Sequence, residues 1–150
     1  MFITALIIFI VLLLFFVLGV QSQSKKSPSL VNGRLSKCSY KPNCVCSEYE
    51  NDKEHYIEPI IMKNNDLTSL KIILQKMGGV IQFETDRYLF AKFTSHWFSF
   101  VDDVEVRFDE NNQLAHIRSA SRVGRSDMGV NRKRMKQLKE LYSTWQKNHD

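Results

Sequence analysis

Phe100-Val-Asp-Asp-Val-Glu-Val-Arg-Phe108, Asp109-Glu-Asn-Asn112 and Gln113-Leu-Ala-His-Ile-Arg-Ser-Ala120 decide the fold of this chain. Apolar and polar residues alternate through the two outer segments, and the middle one is made of turn-forming residues. That pattern predicts an antiparallel hairpin. A four-residue loop at 109–112 would set Val104 opposite Ile117 and Val106 opposite Ala115 on an apolar face. The other face would then carry Asp103 opposite Arg118 and Glu105 opposite His116, with opposite charges meeting across the strands. A slip by two residues would keep the faces and change the partners.

Working outward, Val80–Glu84 and Tyr88–Thr94 read as two more strands around a Thr85-Asp86-Arg87 turn. Tyr56–Ile61 reads as a short edge strand, because Pro59 cannot donate a ladder hydrogen bond. Leu67, Leu70, Ile73, Leu74 and Met77 follow helical spacing, with a cap at Asn65-Asp66 and a stop at Gly78-Gly79. A last helix is expected over Val130–Lys147, with Met135, Leu138, Tyr142 and Trp145 as its apolar stripe. Hairpin-linked strands with two amphipathic helices predict an α+β fold, a two-layer sandwich of about five antiparallel strands covered by two helices.

Beyond the hairpin, residues 118–134 pack five arginines and a lysine around two glycines and three serines. Arginine's planar donor fork suits carboxylate or phosphate. The candidate ligand-binding cluster read from these residues is Asp102, Asp103 and Glu105 with Arg118, Arg122 and Arg132. The competing interpretation is a structural ion-pair network that locks the hairpin to the last helix. Ser126-Asp127 reads most simply as the cap of that helix. None of the serines lies in a Gly-x-Ser-x-Gly elbow, no phosphate-binding loop pattern is present, and no catalytic residue can be assigned. His96-Trp97-Phe98-Ser99-Phe100 is a dense aromatic run, read as core or as the wall of a hydrophobic pocket.

At the other end, Phe2–Val20 contains only Thr4 and Gly19 as non-apolar residues. As a helix this run rises roughly 28 Å, close to the thickness of a bilayer's hydrocarbon core. It is longer than a signal peptide's apolar region and lacks a basic start, so an uncleaved anchor over residues 1–21 is expected; the alternative is a signal peptide cut after Ser22, whose Val20-Gln21-Ser22 context matches small-x-small poorly. Residues 22–36 read as a Ser/Lys/Pro/Gly-rich tether, and 37–150 as a single domain. Lys25, Lys26, Arg34 and Lys37 would hold that domain on the cytoplasmic side. Cys38, Cys44 and Cys46, crowded into a loop, argue for an oxidising compartment instead. Their spacing is not that of a zinc site, for which His55 would be the nearest fourth ligand; no metal or cofactor is expected.

The net charge of +5 is uneven. Residues 118–150 hold nine Lys/Arg against three Asp/Glu, so the remainder of the chain is slightly acidic. This asymmetry points to anionic lipid headgroups or an acidic protein partner. Aromatic residues do not alternate with the basic ones, so nucleic acid is not expected.

Four ordered blocks resemble one family: Cys38-x5-Cys44 with Lys41-Pro-Asn-Cys-Val45, Phe100-Val-Asp-Asp-Val-Glu105, Ile117-Arg-Ser-Ala-Ser-Arg-Val-Gly124, and Ser126-Asp-x-Gly-Val-Asn-Arg-Lys-Arg134. This is the uncharacterised family called domain of unknown function 1499, and the resemblance covers about residues 35–145. Its members are typically small bacterial proteins that often carry a signal or membrane anchor, with relatives in plastids, and no activity is established for them. The resemblance implies that the six candidate residues stand at motif positions together with Cys38 and Cys44, and it adds Ser119, Ser121, Asp127 and Asn131 to the candidate ligand-binding set, making ten. It also favours an exported domain, facing the periplasm from a bacterial inner membrane, and a Cys38–Cys44 disulfide. Cys46 departs from the family pattern, where serine is more usual.

The functional expectation is a single-pass, membrane-anchored binding or assembly domain that recognises an anionic group at the membrane surface. The alternative is a hydrolase-like or transferase-like enzyme using Asp102 or Asp103 on a substrate held by arginines.

Overall fold

The computed structural model describes residues 2–24, 29–63 and 66–149. In chain order the elements are α1 (Phe2–Ser24), β1 (Leu30–Val31), β2 (Arg34–Leu35), β3 (Cys44–Cys46), β4 (Ile60–Ile61), α2 (Thr68–Lys76), β5 (Val80–Thr85), β6 (Tyr88–Thr94), β7 (Val101–Asp109), β8 (Leu114–Ser121) and α3 (Val130–Lys147). The main sheet is antiparallel, with strands in the order β3-β8-β7-β6-β5, and β4 also pairs with β8. The fold is α+β as expected, with six strands in the sheet rather than five.

The additional strand is β3. It pairs with the last residues of β8 (Cys44 with Ala120, Cys46 with Arg118), while β4 pairs with the first (Ile60 with Ala115). Two short strands thus share one edge. The strand expected over Tyr56–Ile61 shrinks to Ile60–Ile61, beyond Pro59, and Tyr56 makes only an isolated parallel bridge to Cys46.

The hairpin β7–β8 is present, but its register is the slipped one. Glu105 faces Arg118, not His116; Val106 faces Ile117; and Asp103 faces Ala120. The loop is four residues long but starts one residue later, because Asp109 remains on its strand as the first residue of the turn. Its carboxylate accepts hydrogen bonds from the backbone N and the Nδ2 of Asn112, and Gln113 takes a left-handed φ of 55° to re-enter β8.

The helices cover one face. Leu70, Ile73 and Leu74 of α2, with Met135, Leu138 and Tyr142 of α3, are buried with Leu89, Val104, Val106 and Ile117 of the sheet. Asp66 opens α2 by accepting from the N and Oγ1 of Thr68 at 2.8 and 2.7 Å; Asn65, the other residue of the expected cap, lies outside the described residues. Gly78 ends the helix at φ 92°, a conformation open to glycine at little cost.

The opposite face is covered by the chain that precedes α2. Leu35, Cys38, Cys44 and Cys46 form a second buried cluster with Tyr88 and Ala120. Cys38 and Cys44 are joined by a disulfide, and Cys46 is a buried free cysteine. Within the expected tether, β1 and β2 form a small hairpin, and Leu35 is fully buried.

Candidate functional site

Successive strand residues point to opposite faces of a sheet, and this rule divides the candidate residues into two groups. On β7, Asp103 and Glu105 face the N-terminal segments while Asp102 faces the helices. On β8, Arg118 and Arg122 take the first side, and Ser119 and Ser121 the second. The adjacent carboxylates Asp102 and Asp103 therefore do not converge on a shared substrate position.

On the side away from the helices, the Glu105 carboxylate is completely buried. It accepts from Arg118 Nη1 at 2.8 Å and from the Tyr88 hydroxyl at 2.6 Å. Arg118 Nε is buried without a hydrogen-bond partner among the described residues. Arg122 holds Asp103 bidentately, Nε lying 3.0 Å from both carboxylate oxygens and Nη2 2.8 Å from Oδ1. Its Nη1 turns outward to the carbonyls of Ser22 at 3.3 Å and Gln23 at 3.4 Å, in the last turn of α1.

On the helix side, Asn131 is the hub. Its Nδ2 donates to the Asn43 carbonyl at 3.1 Å and to Ser121 Oγ at 2.9 Å, while its Oδ1 accepts from Ser119 Oγ at 2.5 Å. Arg134 Nη1 donates to both Ser119 Oγ and Asn131 Oδ1, and Nη2 reaches Asp102 at 2.8 Å. The guanidinium lies 4.6 Å from the centre of the Phe93 ring. Asp127 secures the start of α3, accepting from the backbone N of Gly129 and of Asn131 at 3.0 and 2.7 Å. The whole arrangement ties β7, β8, the Asn43 loop and α3 together.

The family described as protein of unknown function (DUF1499) matches residues 34–141. The chain belongs to that family. No curated protein and no solved structure matches it.

The remaining residues of the DUF1499 candidate set are used elsewhere. Arg132 stands apart from both groups and donates to the carbonyls of Tyr56 and Glu54 at 2.8 and 2.6 Å. In this DUF1499 domain the expected ligand-binding side chains are thus largely one another's partners, or partners of backbone carbonyls. Arg125 is different. It is exposed and has no side-chain partner among the described residues.

Sequence reading missed four contributors. Arg134 closes the helix-side network, and although it ends the Arg-rich stretch and the fourth family block it is absent from the candidate set. Tyr88 was read as part of a strand. Asn43 lies inside a recognised block, but its carbonyl, which also accepts from Ser121 N, has no sequence signal. Glu48 is buried between Arg34 and Arg107, each at 2.6–2.7 Å. Burial would raise its pKa, but the hydrogen bonds from Arg107, Arg34 and the Leu35 amide prevail and hold it below the usual carboxylate range.

Glu48 borders an open polar cleft of about 920 Å³, also lined by Arg34, Lys37, Tyr40, Ser47 and His116. Ser47 Oγ lies 3.3 Å from His116 Nδ1, and His116 Nε2 lies 3.9 Å from Asp109 Oδ2. The trio has the composition of a nucleophile relay but not its geometry. Ser47 is only 2% exposed and its Oγ already accepts from the Ile117 amide at 2.8 Å, and Asp109 is beyond hydrogen-bond distance of the ring. Burial pushes the His116 pKa down. Burial likewise raises the Cys46 thiol to about 11, which keeps it protonated and unreactive. Both ring nitrogens of His55 are engaged, with Asp52 at 2.8 Å and the Lys41 carbonyl at 3.0 Å. Among the described residues no group of His, Cys, Asp and Glu is placed to hold a metal ion.

Proposed function

We propose that this protein is a non-catalytic, membrane-anchored domain that recognises an anionic group at the membrane surface, and that the family motif mounts the domain on its anchor helix. The observation that carries this reading is Arg122. One edge of its guanidinium holds buried Asp103, and the other reaches the Ser22 and Gln23 carbonyls at the end of α1. The last carbonyls of a helix lack intrahelical partners and carry the negative end of its dipole, so a fixed cation there is favourable. Ser22 adds a second tie, accepting from the Val101 amide at 2.8 Å.

The mount brings the end of the sheet that bears the β8–α3 segment beside the C-terminal end of α1. In a bilayer spanned by α1, that is the level of the headgroups. Arg125 is exposed in this segment, and Lys41 Nζ lies 3.4 Å from the Gly124 carbonyl. Each basic residue near an anionic surface contributes about 1 kcal/mol of attraction. The recognised group is thus a surface phosphate or carboxylate, with a lipid headgroup as the first source.

The test is amide hydrogen exchange on the full chain in nanodiscs of phosphatidylcholine with and without phosphatidylglycerol. Amides of residues 122–130 are expected to exchange more slowly when the anionic lipid is present. A Lys41→Ala/Arg125→Ala variant should lose that difference. Equal exchange of the unsubstituted protein in the two kinds of disc overturns recognition of a lipid headgroup, and slowing by an added acidic peptide alone would reassign the contact to a protein partner.

A further inference from the structure

The aromatic run between β6 and β7 packs against α1 over a long stretch of that helix. Phe98 and Phe100 have their ring centroids 5.1 and 6.3 Å from that of Phe15. One turn further along, the loop backbone touches the helix directly, and a Cβ on Gly19 would stand 1.9 Å from the Phe98 carbonyl oxygen. Gln23 Nε2 then donates to the Ser99 carbonyl at 2.9 Å. From Ser22 to Phe15 is seven residues, or about 10 Å along a helix axis. The loop therefore runs down the side of α1, past the end of its apolar stretch at Val20.

The loop has the composition and bonding that such a position demands. Ser95–Phe100 contains no Asp, Glu, Lys or Arg. Its two ends are bonded to each other: Ser95 N donates to the Phe100 carbonyl at 2.8 Å, and Phe100 N to Ser95 Oγ at 3.0 Å. Backbone groups in an apolar medium need that kind of satisfaction. Trp97, next to the contact with α1, is 86% exposed, and among the described residues its one ring contact is edge-on to His96. Tryptophan favours the boundary between headgroups and acyl chains, where an apolar ring with one N–H donor is best accommodated.

We infer that the Ser95–Phe100 loop is a second membrane contact, which inserts Trp97 and Phe98 among the lipids beside α1. The inference rests on α1 being the retained anchor. It is independent of any preference for anionic lipid, because the loop's contact is with acyl chain and glycerol. The domain is consequently held at two points of the bilayer, the helix and the loop.

The chain's two tryptophans, Trp97 and Trp145, make the test direct. The full-length Trp145→Phe variant is reconstituted in vesicles of phosphatidylcholine brominated at a shallow acyl position, leaving Trp97 as the sole emitter. Its fluorescence should fall roughly twofold or more relative to unbrominated vesicles, as suits a ring at the interface. In the Trp97→Phe variant, Trp145 on α3 should show no such fall. Unquenched Trp97 in a protein that still floats with the vesicles overturns the inference and leaves the anchor intact. Failure to float, with a mature mass lacking the N-terminal segment, overturns the anchor reading as well. Vesicle-bound Trp145→Phe/Phe98→Ser, a change outside the main core, should show weaker quenching of Trp97 than Trp145→Phe alone.

Discussion

The two faces of the β7–β8 hairpin carry polar networks of opposite character. Beneath the N-terminal segments, the network consists of charge pairs, Glu105 with Arg118 and Asp103 with Arg122, and its outer edge reaches α1. Beneath the helices, it is mainly an amide and hydroxyl network around Asn131, with a single ion pair at its margin, Asp102 with Arg134. The first is strong where it is complete and severe when broken, because an orphaned buried charge cannot be tolerated. The second spreads its loss over several weaker bonds. One motif thus supplies two kinds of joint, a charged one towards α1 and a neutral one towards α3.

The sharpest way to break this comparison is Glu105→Ala. It leaves Arg118 buried opposite a void and should lower stability by about 3–5 kcal/mol, seen as a fall of more than about 10 °C in the thermal midpoint of the full-length protein by circular dichroism. Replacing both partners, Glu105→Leu with Arg118→Met, should cost less than Glu105→Ala alone; a sum of two full penalties would show that the pair is not coupled. On the helix side, Asn131→Leu should cost about 2–3 kcal/mol, since Ser119, Ser121 and the Asn43 carbonyl lose partners together. If it costs more than Glu105→Ala, the ranking of the two joints is reversed.

Acid provides a graded probe of the N-terminal face. The folded pKa of His116 is depressed by burial, so as pH falls below about 6.5 the unfolded chain takes up its proton first and stability declines. Glu48 is also depressed in the folded state. Its contribution is complete above the unfolded value of about 4.3 and is lost as pH falls through the lower folded value. Urea midpoints measured against pH should therefore decline in two stages. His116→Asn should flatten the first and Glu48→Gln the second. The smallest effect is expected from Arg132→Ala, about 1 kcal/mol. Its readout is faster amide exchange at residues 54–56, with little change in the thermal midpoint.

Alternation made the strands of the central hairpin legible, and it equally encodes the division of the motif. In Arg118-Ser-Ala-Ser-Arg122 the arginines fall on one face and the serines on the other, so the ten candidate residues cannot form one cluster. The register was not legible, because a four-residue loop fits at 109–112 or at 110–113. The choice depends on the Asp109 side chain bonding to Asn112. β3 escaped notice for another reason: three residues, Cys44–Cys46, show no period, and their pairing with β8 is long-range. The polar Gln21–Ser24 stretch looked like the start of a linker, since nothing local announces that Ser22 will be fully buried against Val101.

Gly19 gives α1 a rotational phase. A helix advances about 100° per residue, and the Phe98 carbonyl fits only where a side chain is missing. With Gly19 turned to that carbonyl, Phe15, four residues earlier, comes round to the same side and meets the two phenylalanine rings. Insertion of one residue between them would swing Phe15 roughly a quarter turn away while the grip at Ser22 held. The domain is keyed to its helix as well as tethered to it, so every neighbour beside α1 meets the same flank of the folded domain.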